Sequence, residues 1–303
     1  MFGRKKMATG EKDLVLDSRA SPAQVRRATR TRMSWALITS FLLLISVIFL
    51  ILVEIGDISA SRSALTNIYF IKIDLTNIVP IAVPNAELIN SIARTLGLHD
   101  FYTVGLWNFC EGYNSDGVTG CSTPQALYWF NPVEIIGNEL LAGAEISLPQ
   151  ELVDILGLIH TVSNWMFGLF LTSACLSFVM IFIVPLSVFS RWATFPIAVL
   201  TFLTALFVTV AAVIATVLFV IMSNVFNNAT QLNIGAEIGK EMFAFMWIAA
   251  ATAIFAWLIQ MGQLCCCASR RDVRTGRKQG ALSKVEIARE KPRRRPWFGR
   301  RRA

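Results

Sequence analysis

A four-helix membrane bundle carrying a small disulfide-stapled outer lobe of mixed α/β structure is the fold this sequence predicts, and three observations predict it. Hydrophobic residues make up 54% of the 303 and charged residues only 16%, too few charges to coat a soluble globule of this length. Four runs long enough to cross a bilayer carry no Asp, Glu, Lys or Arg. Between the first two runs lies one polar stretch large enough to fold, and it holds a close pair of cysteines, Cys110 and Cys121.

The net charge of +8 is divided unevenly. Residues 1–34 hold nine Lys/Arg against three acids and residues 265–303 hold fourteen against three, whereas residues 54–161 hold three against twelve. Basic ends and an acidic middle are the pattern of positive-inside topology, not of a nucleic-acid interface, and they predict both termini in the cytosol. No nucleic acid is expected as a partner.

Residues 1–34 form a short basic arm without apolar periodicity, with Arg26, Arg27, Arg30 and Arg32 crowding the start of the first apolar run. That run, residues 35–53, is long enough at ~1.5 Å per residue to cover the ~30 Å hydrocarbon core and reads as an uncleaved signal anchor. Residues 54–161 are the outer lobe. Within it residues 68–75 alternate, with Ile71, Ile73 and Leu75 on one face and Lys72 and Asp74 on the other, and residues 101–109 are a second strand candidate. Asn85 is placed to cap a helix whose Leu88, Ile92 and Leu96 share a face and which Gly97 stops. Ser147-Leu148-Pro149-Gln150 opens another helix, lying on the membrane surface or leading into the second span.

The second span is set at residues 162–189, bending or ending near Pro185, and Cys175 within it reads as a buried small apolar residue. A turn at 190–194 containing Arg191 joins it to the third span at 195–222. So short a link makes the two helices antiparallel neighbours. An outer loop at 223–241 precedes the fourth span at 242–264, and a basic tail occupies 265–303. Ala211 and Ala215, and Ala249 and Ala253, have the small-xxx-small spacing of close helix packing within the bundle. Asn228-Ala229-Thr230 is a glycosylation sequon near the end of the third span.

For Cys110 and Cys121 a zinc site would need four ligands, with only His99 and nearby carboxylates to complete it, and a redox pair would be spaced more tightly. A structural disulfide on the oxidising side of the membrane is favoured, worth about 2–3 kcal/mol by loop-closure entropy. Trp107, three residues earlier, reads as an apolar plate against that bridge. His99 and His160 lack nucleophile or acid partners at triad spacing, and no phosphate loop or zincin motif occurs, so neither an enzyme nor a cofactor is expected. Uncharged spans also give transport little footing, although a channel or transporter subunit stands as a third functional class.

Gly105, Leu106, Trp107, Cys110 and Cys121 resemble the claudin signature. More closely, Gly105-Leu106-Trp107-Asn108-Phe109-Cys110-Glu111-Gly112 with Tyr128-Trp129-Phe130-Asn131-Pro132-Val133-Glu134-Ile135 is similar to the fungal SUR/PalI family of claudin-like tetraspan plasma-membrane proteins. Claudins carry a further Trp upstream in this loop, and none occurs here between Trp35 and Trp107, so junction-type assembly is not implied. The resemblance implies a non-enzymatic organiser of static plasma-membrane compartments, associated with eisosomes, cortical organisation, cell-wall integrity or endocytosis. Its PalI branch implies instead an accessory of an ambient-pH-sensing receptor. Implied partners are membrane lipids and other plasma-membrane or cortical scaffold proteins, with a homo-oligomer allowed.

The tail adds an expectation of its own. Cys265, Cys266 and Cys267 stand where juxtamembrane cysteines are acylated. Arg293, Arg294 and Arg295 and then Arg300, Arg301 and Arg302 bracket Trp297 and Phe298, a basic-aromatic pattern suited to anionic phosphoinositides at the inner leaflet.

Overall fold

The computed structural model describes residues 29–76, 99–131, 150–189, 191–228 and 234–266. Outside the described residues fall the arm before Thr29, the helix expected after Asn85, the cap at Ser147, and Cys267 with the tail behind it.

Four long apolar helices make the bundle: α1 (Arg30–Ile55), α3 (Gln150–Ile183), α4 (Arg191–Asn228) and α5 (Lys240–Cys266). A four-residue helix, α2 (Ser63–Thr66), follows α1. Helices suit these segments because each satisfies its backbone polar groups internally where lipid offers no partners. On α1 the buried positions Ala36, Thr39, Leu43, Ser46, Leu50 and Val53 recur at alternating steps of three and four, while Leu37, Phe41, Leu44, Ile48 and Ile51 face outward. That narrow seam is the pattern of left-handed bundle packing. Small residues bring the partners close: Ala211, Ala215, Ala249 and Ala253 are all buried inside the bundle, and the Ser46 hydroxyl donates to the Ala249 carbonyl of α5 at 3.0 Å.

The helix beginning at Gln150 runs unbroken into the second span, the second of the two courses expected for it. It ends at Ile183, and Val184–Val188 continues as a 3-10 helix with Pro185 in its first turn, where the missing N–H does no harm. Arg32 is buried at this end of the bundle. Its Nη2 donates to the Ser187 carbonyl at 2.8 Å and to the Thr194 hydroxyl, tying α1 to the turn between α3 and α4. An arginine expected to flank the membrane is therefore a bundle fastener. Cys175 is exposed on the lipid-facing side of α3, not buried as its composition suggested, because a bilayer accepts apolar side chains on the outer face as readily as the core does.

At the opposite end sits a five-stranded antiparallel sheet of order β4-β3-β2-β1-β5, built from β1 (Ile71–Asp74), β2 (Phe101–Val104), β3 (Phe109–Tyr113), β4 (Gly117–Cys121) and β5 (Gly235–Ile238). In β1 the expected alternation holds, with Ile71 and Ile73 buried and Lys72 and Asp74 half-exposed. The strand expected over 101–109 is two strands, because Gly105 opens a four-residue turn whose own N–H donates to the Asn108 carbonyl at 2.9 Å. The stretch read as an outer loop contributes β5, which pairs with β1. Asn227, near the end of α4, serves as a surrogate neighbour for β5: its Nδ2 donates to the Ala236 carbonyl at 2.9 Å and its Oδ1 accepts from the Ala236 N–H at 2.9 Å. Gly239, just after β5, donates its N–H to the Phe70 carbonyl, and a Cβ there would lie 1.7 Å from the Tyr69 carbonyl oxygen, so only glycine fits.

One apolar core runs through both parts, joining Phe70, Ile71, Leu106 and Phe130 of the lobe to Phe170, Phe219, Met242 and Met246 of the helices. Phe70 and Phe219 stack at 4.7 Å. The lobe is thus continuous with the bundle.

Candidate functional site

The signature residues form the joint between sheet and bundle. Gly105 sits where the chain from β2 presses on the end of α1: a Cβ at this position would lie 2.9 Å from the Gly56 carbonyl oxygen and 3.1 Å from Asp57 Cβ. That close approach admits no side chain, which gives the glycine of the motif a physical reason. The turn then drives Leu106 into the common core, where it is buried.

Trp107 reaches from the lobe to the helices. Its ring meets Phe167 of α3 edge-to-face at 4.7 Å, and its Nε1–H donates to Glu54 Oε2 of α1 at 3.0 Å. One residue thereby ties the lobe to two spans. Asn108 is fully buried and its Nδ2 donates to the carbonyls of Ile58 and Ser122, stitching the exit of α1 to the chain just after the bridge.

Cys110 and Cys121 are opposite each other in the β3–β4 ladder and are joined, with S–S 2.01 Å and Cα–Cα 3.9 Å. Cys110 is buried, and its Sγ lies 3.0 Å from the Asp57 carbonyl oxygen. The bridge secures the outer hairpin and presses it onto the chain leaving α1. Cys110→Ser is expected to release that hairpin, at a cost of about 2–3 kcal/mol to the lobe. The measurement is limited proteolysis within residues 101–121 together with delivery to the cell surface, and normal delivery with a free Cys121 thiol would contradict it.

Two carboxyls at the start of the stretch read as the outer lobe are enclosed here. Glu54 accepts from Trp107 through one oxygen while Oε1 is buried without a partner. Asp57 is fully buried, with its backbone at φ 56°. Neither of its carboxylate oxygens has a hydrogen-bond partner of good geometry, and the Thr103 hydroxyl, which eases the carboxylate, is turned to the Cys110 carbonyl at 3.5 Å. Burial pushes the Asp57 carboxyl from 3.8 up to about 8, with Thr103 opposing the rise. Tyr69 on the same side of the lobe is also raised, first by burial and then by the negative charges of Glu237, Asp57 and Glu241. The only sequence sign of this cluster was two acids three residues apart at the end of an apolar run, a pattern shared with any membrane flank.

The other expected sites lie apart from the joint. His99 Nδ1 is 3.6 Å from Glu111 Oε2 on the sheet, and His160 meets Trp129 edge-to-face at 5.0 Å. Asn228 is exposed at the last residue of α4. Cys265 and Cys266 close α5, and Arg293, Arg294, Arg295, Trp297, Phe298, Arg300, Arg301 and Arg302 lie outside the described residues. Among the described residues no group of three or more His, Cys, Asp or Glu is arranged to hold a metal ion.

Comparison with known proteins matches this arrangement to one lineage. The SUR7 family protein pun1 of Schizosaccharomyces pombe is 27% identical over 236 residues, covering 65% of this chain and 82% of its own length. Protein PUN1 of Saccharomyces cerevisiae is 23% identical over 230 residues, covering 70% of this chain and 85% of its own. The profile of the SUR7/PalI family matches residues 35–259, which reach from the first span into the fourth and include the joint and the disulfide. This multi-pass membrane protein belongs to the SUR7/PalI family.

Proposed function

We propose that the protein organises a static compartment of the plasma membrane without catalysing a reaction, with its sheet lobe outside the cell and both termini in the cytosol. The single observation carrying this reading is the joint: signature residues are spent on fastening the lobe rigidly to the spans through Gly105, Trp107, Asn108 and the Cys110–Cys121 bridge. Such a platform is suited to holding neighbours in fixed positions at the membrane surface. Its roles on this reading are in eisosome-type compartments, cell-wall integrity, cortical organisation or endocytosis, with membrane lipids, cortical scaffold proteins and further copies of the chain as partners. The acidic lobe between basic ends supports the orientation. Acylation at Cys265, Cys266 and Cys267 and contact of the basic-aromatic tail with phosphoinositides would bias the chain toward such a compartment.

The test is a fluorescent copy in living cells. Immobile cortical patches with slow recovery after bleaching are expected. Replacing the three cysteines by Ser, or Trp297 by Ala with the six terminal arginines by Gln, should disperse the patches while the spans keep the protein in the membrane. Uniform, rapidly recovering fluorescence of the parent chain would sink the reading.

A second reading, an accessory to an ambient-pH-sensing receptor, is favoured by the buried carboxyl of Asp57 at the joint, whose ionisation falls in the mildly alkaline range. Loss of the alkaline response on deletion, with patches intact, would select it.

A further inference from the structure

Beside the joint, on the membrane-facing surface between α3 and α4, an open groove of about 590 Å³ runs along the sheet-side half of the bundle. Its volume is in the ~300–1,000 Å³ range of small-molecule sites. From His160 to Thr172 it follows α3 for twelve residues, about 18 Å of helix rise. That is close to one leaflet, half of a hydrocarbon core of ~30 Å, so a groove of this length takes a lipid from one leaflet only.

Its chemistry is graded along that length. At the mouth, the Asn164 Nδ2 and the His160 Nε2 are 3.3 Å apart and exposed. Deeper in, Gly168 leaves a flat floor, Phe207 of α4 forms one wall, and Trp165, 66% exposed, stands at the rim. Among the described residues, no Lys, Arg, Asp or Glu lines it. A phosphate headgroup therefore finds no counter-charge among the described residues, whereas a neutral hydroxyl finds an amide and an imidazole at the mouth. The flat floor between aromatic walls favours a rigid fused-ring body over flexible chains, which lose more conformational freedom on binding.

We propose that this groove binds a sterol from the sheet-side leaflet, its hydroxyl at His160 and Asn164 and its ring plane laid over Gly168 between Trp165 and Phe207. Nothing in this depends on which side of the membrane the sheet faces, or on the compartment reading above. Binding would couple the sterol to the lobe, because Trp129 of the lobe packs on His160 at the groove mouth.

The experiment uses the full chain in phosphatidylcholine nanodiscs with a diazirine-bearing sterol, mapping crosslinks by mass spectrometry. Saturable labelling within residues 160–172 and near Phe207 is expected, competed by unlabelled sterol. Two variants fill the groove. A Cβ at Gly168 meets nothing within 4 Å, so the branch of Gly168→Leu starts from open space, and Thr172→Phe starts from an exposed position. Each should lower labelling at least tenfold with circular dichroism unchanged, and if Gly168→Leu misfolds then Thr172→Phe decides alone. Unsaturable labelling, labelling unaffected by Thr172→Phe, or displacement by a ceramide-class lipid as effective as by sterol would each overturn the proposal.

Discussion

Trp107→Ala is expected to cost about 3 kcal/mol and to loosen the lobe from the bundle. The indole loses its edge-to-face contact with Phe167, and truncating a partly buried aromatic leaves a void at the joint. The same change removes the N–H that Glu54 accepts, leaving a second oxygen of that carboxyl without a donor beside Oε1, which already has none. Trp107→Phe separates the two effects, since it keeps a ring against Phe167 but deletes the donor, and about 1–2 kcal/mol is expected. Unfolding midpoints in mixed micelles would order the variants as parent, Phe, Ala. A cycle with Glu54→Gln should show coupling in the Phe variant. If Trp107→Phe unfolds with the parent, the bond to Glu54 contributes nothing and the residue acts by packing alone. Loss of one binding partner by Trp107→Ala with unchanged stability would instead make the tryptophan a recognition residue.

What the sequence disclosed follows from which forces act locally. The four spans were legible because a bilayer demands long uncharged helices whatever they pack against. The alternation in β1 was legible because one face of that strand is buried and the other is not. The break at Gly105 was hidden by apolar residues on both sides of it, where a glycine between strand-forming residues is also the mark of a turn. β5 was not legible at all. Gly235, Ala236, Glu237 and Ile238 carry too little alternation, and their pairing with β1 joins residues more than 160 apart in the chain. The burial of Arg32, Glu54 and Asp57 was not legible for one reason: charges beside an apolar run normally meet water, and only the packing of the turn at Ser187 and of the loop at Gly105 encloses them. In the joint, therefore, the fastening residues were visible and the buried acids they enclose were not.

The buried carboxyl of Asp57 makes the stability of the lobe fall as pH rises. The Asp57 carboxyl titrates near 3.8 when exposed and near 8 when folded, because burial disfavours its charge. Between those values the folded state holds a proton that the unfolded state has released, so the difference in bound protons is negative and stability declines with increasing pH. The contribution is undiminished below about pH 4, is lost progressively through the interval, and changes no further above about 8. Each pH unit in the interval corresponds to at most about 1.4 kcal/mol. The Thr103 hydroxyl of β2 is the group that opposes the rise, and burial outweighs it. Asp57→Asn removes the ionisation while keeping a residue that tolerates the left-handed backbone at φ 56°. The parent lobe should lose protection from amide exchange steadily from pH 5 to pH 8, and the Asn variant should hold it constant and surpass the parent at pH 8. Asp57→Leu is the contrasting variant, equally uncharged but strained at that φ, and should be less stable at every pH. Parallel pH profiles for the parent and Asp57→Asn would show that the carboxyl is not the group that titrates.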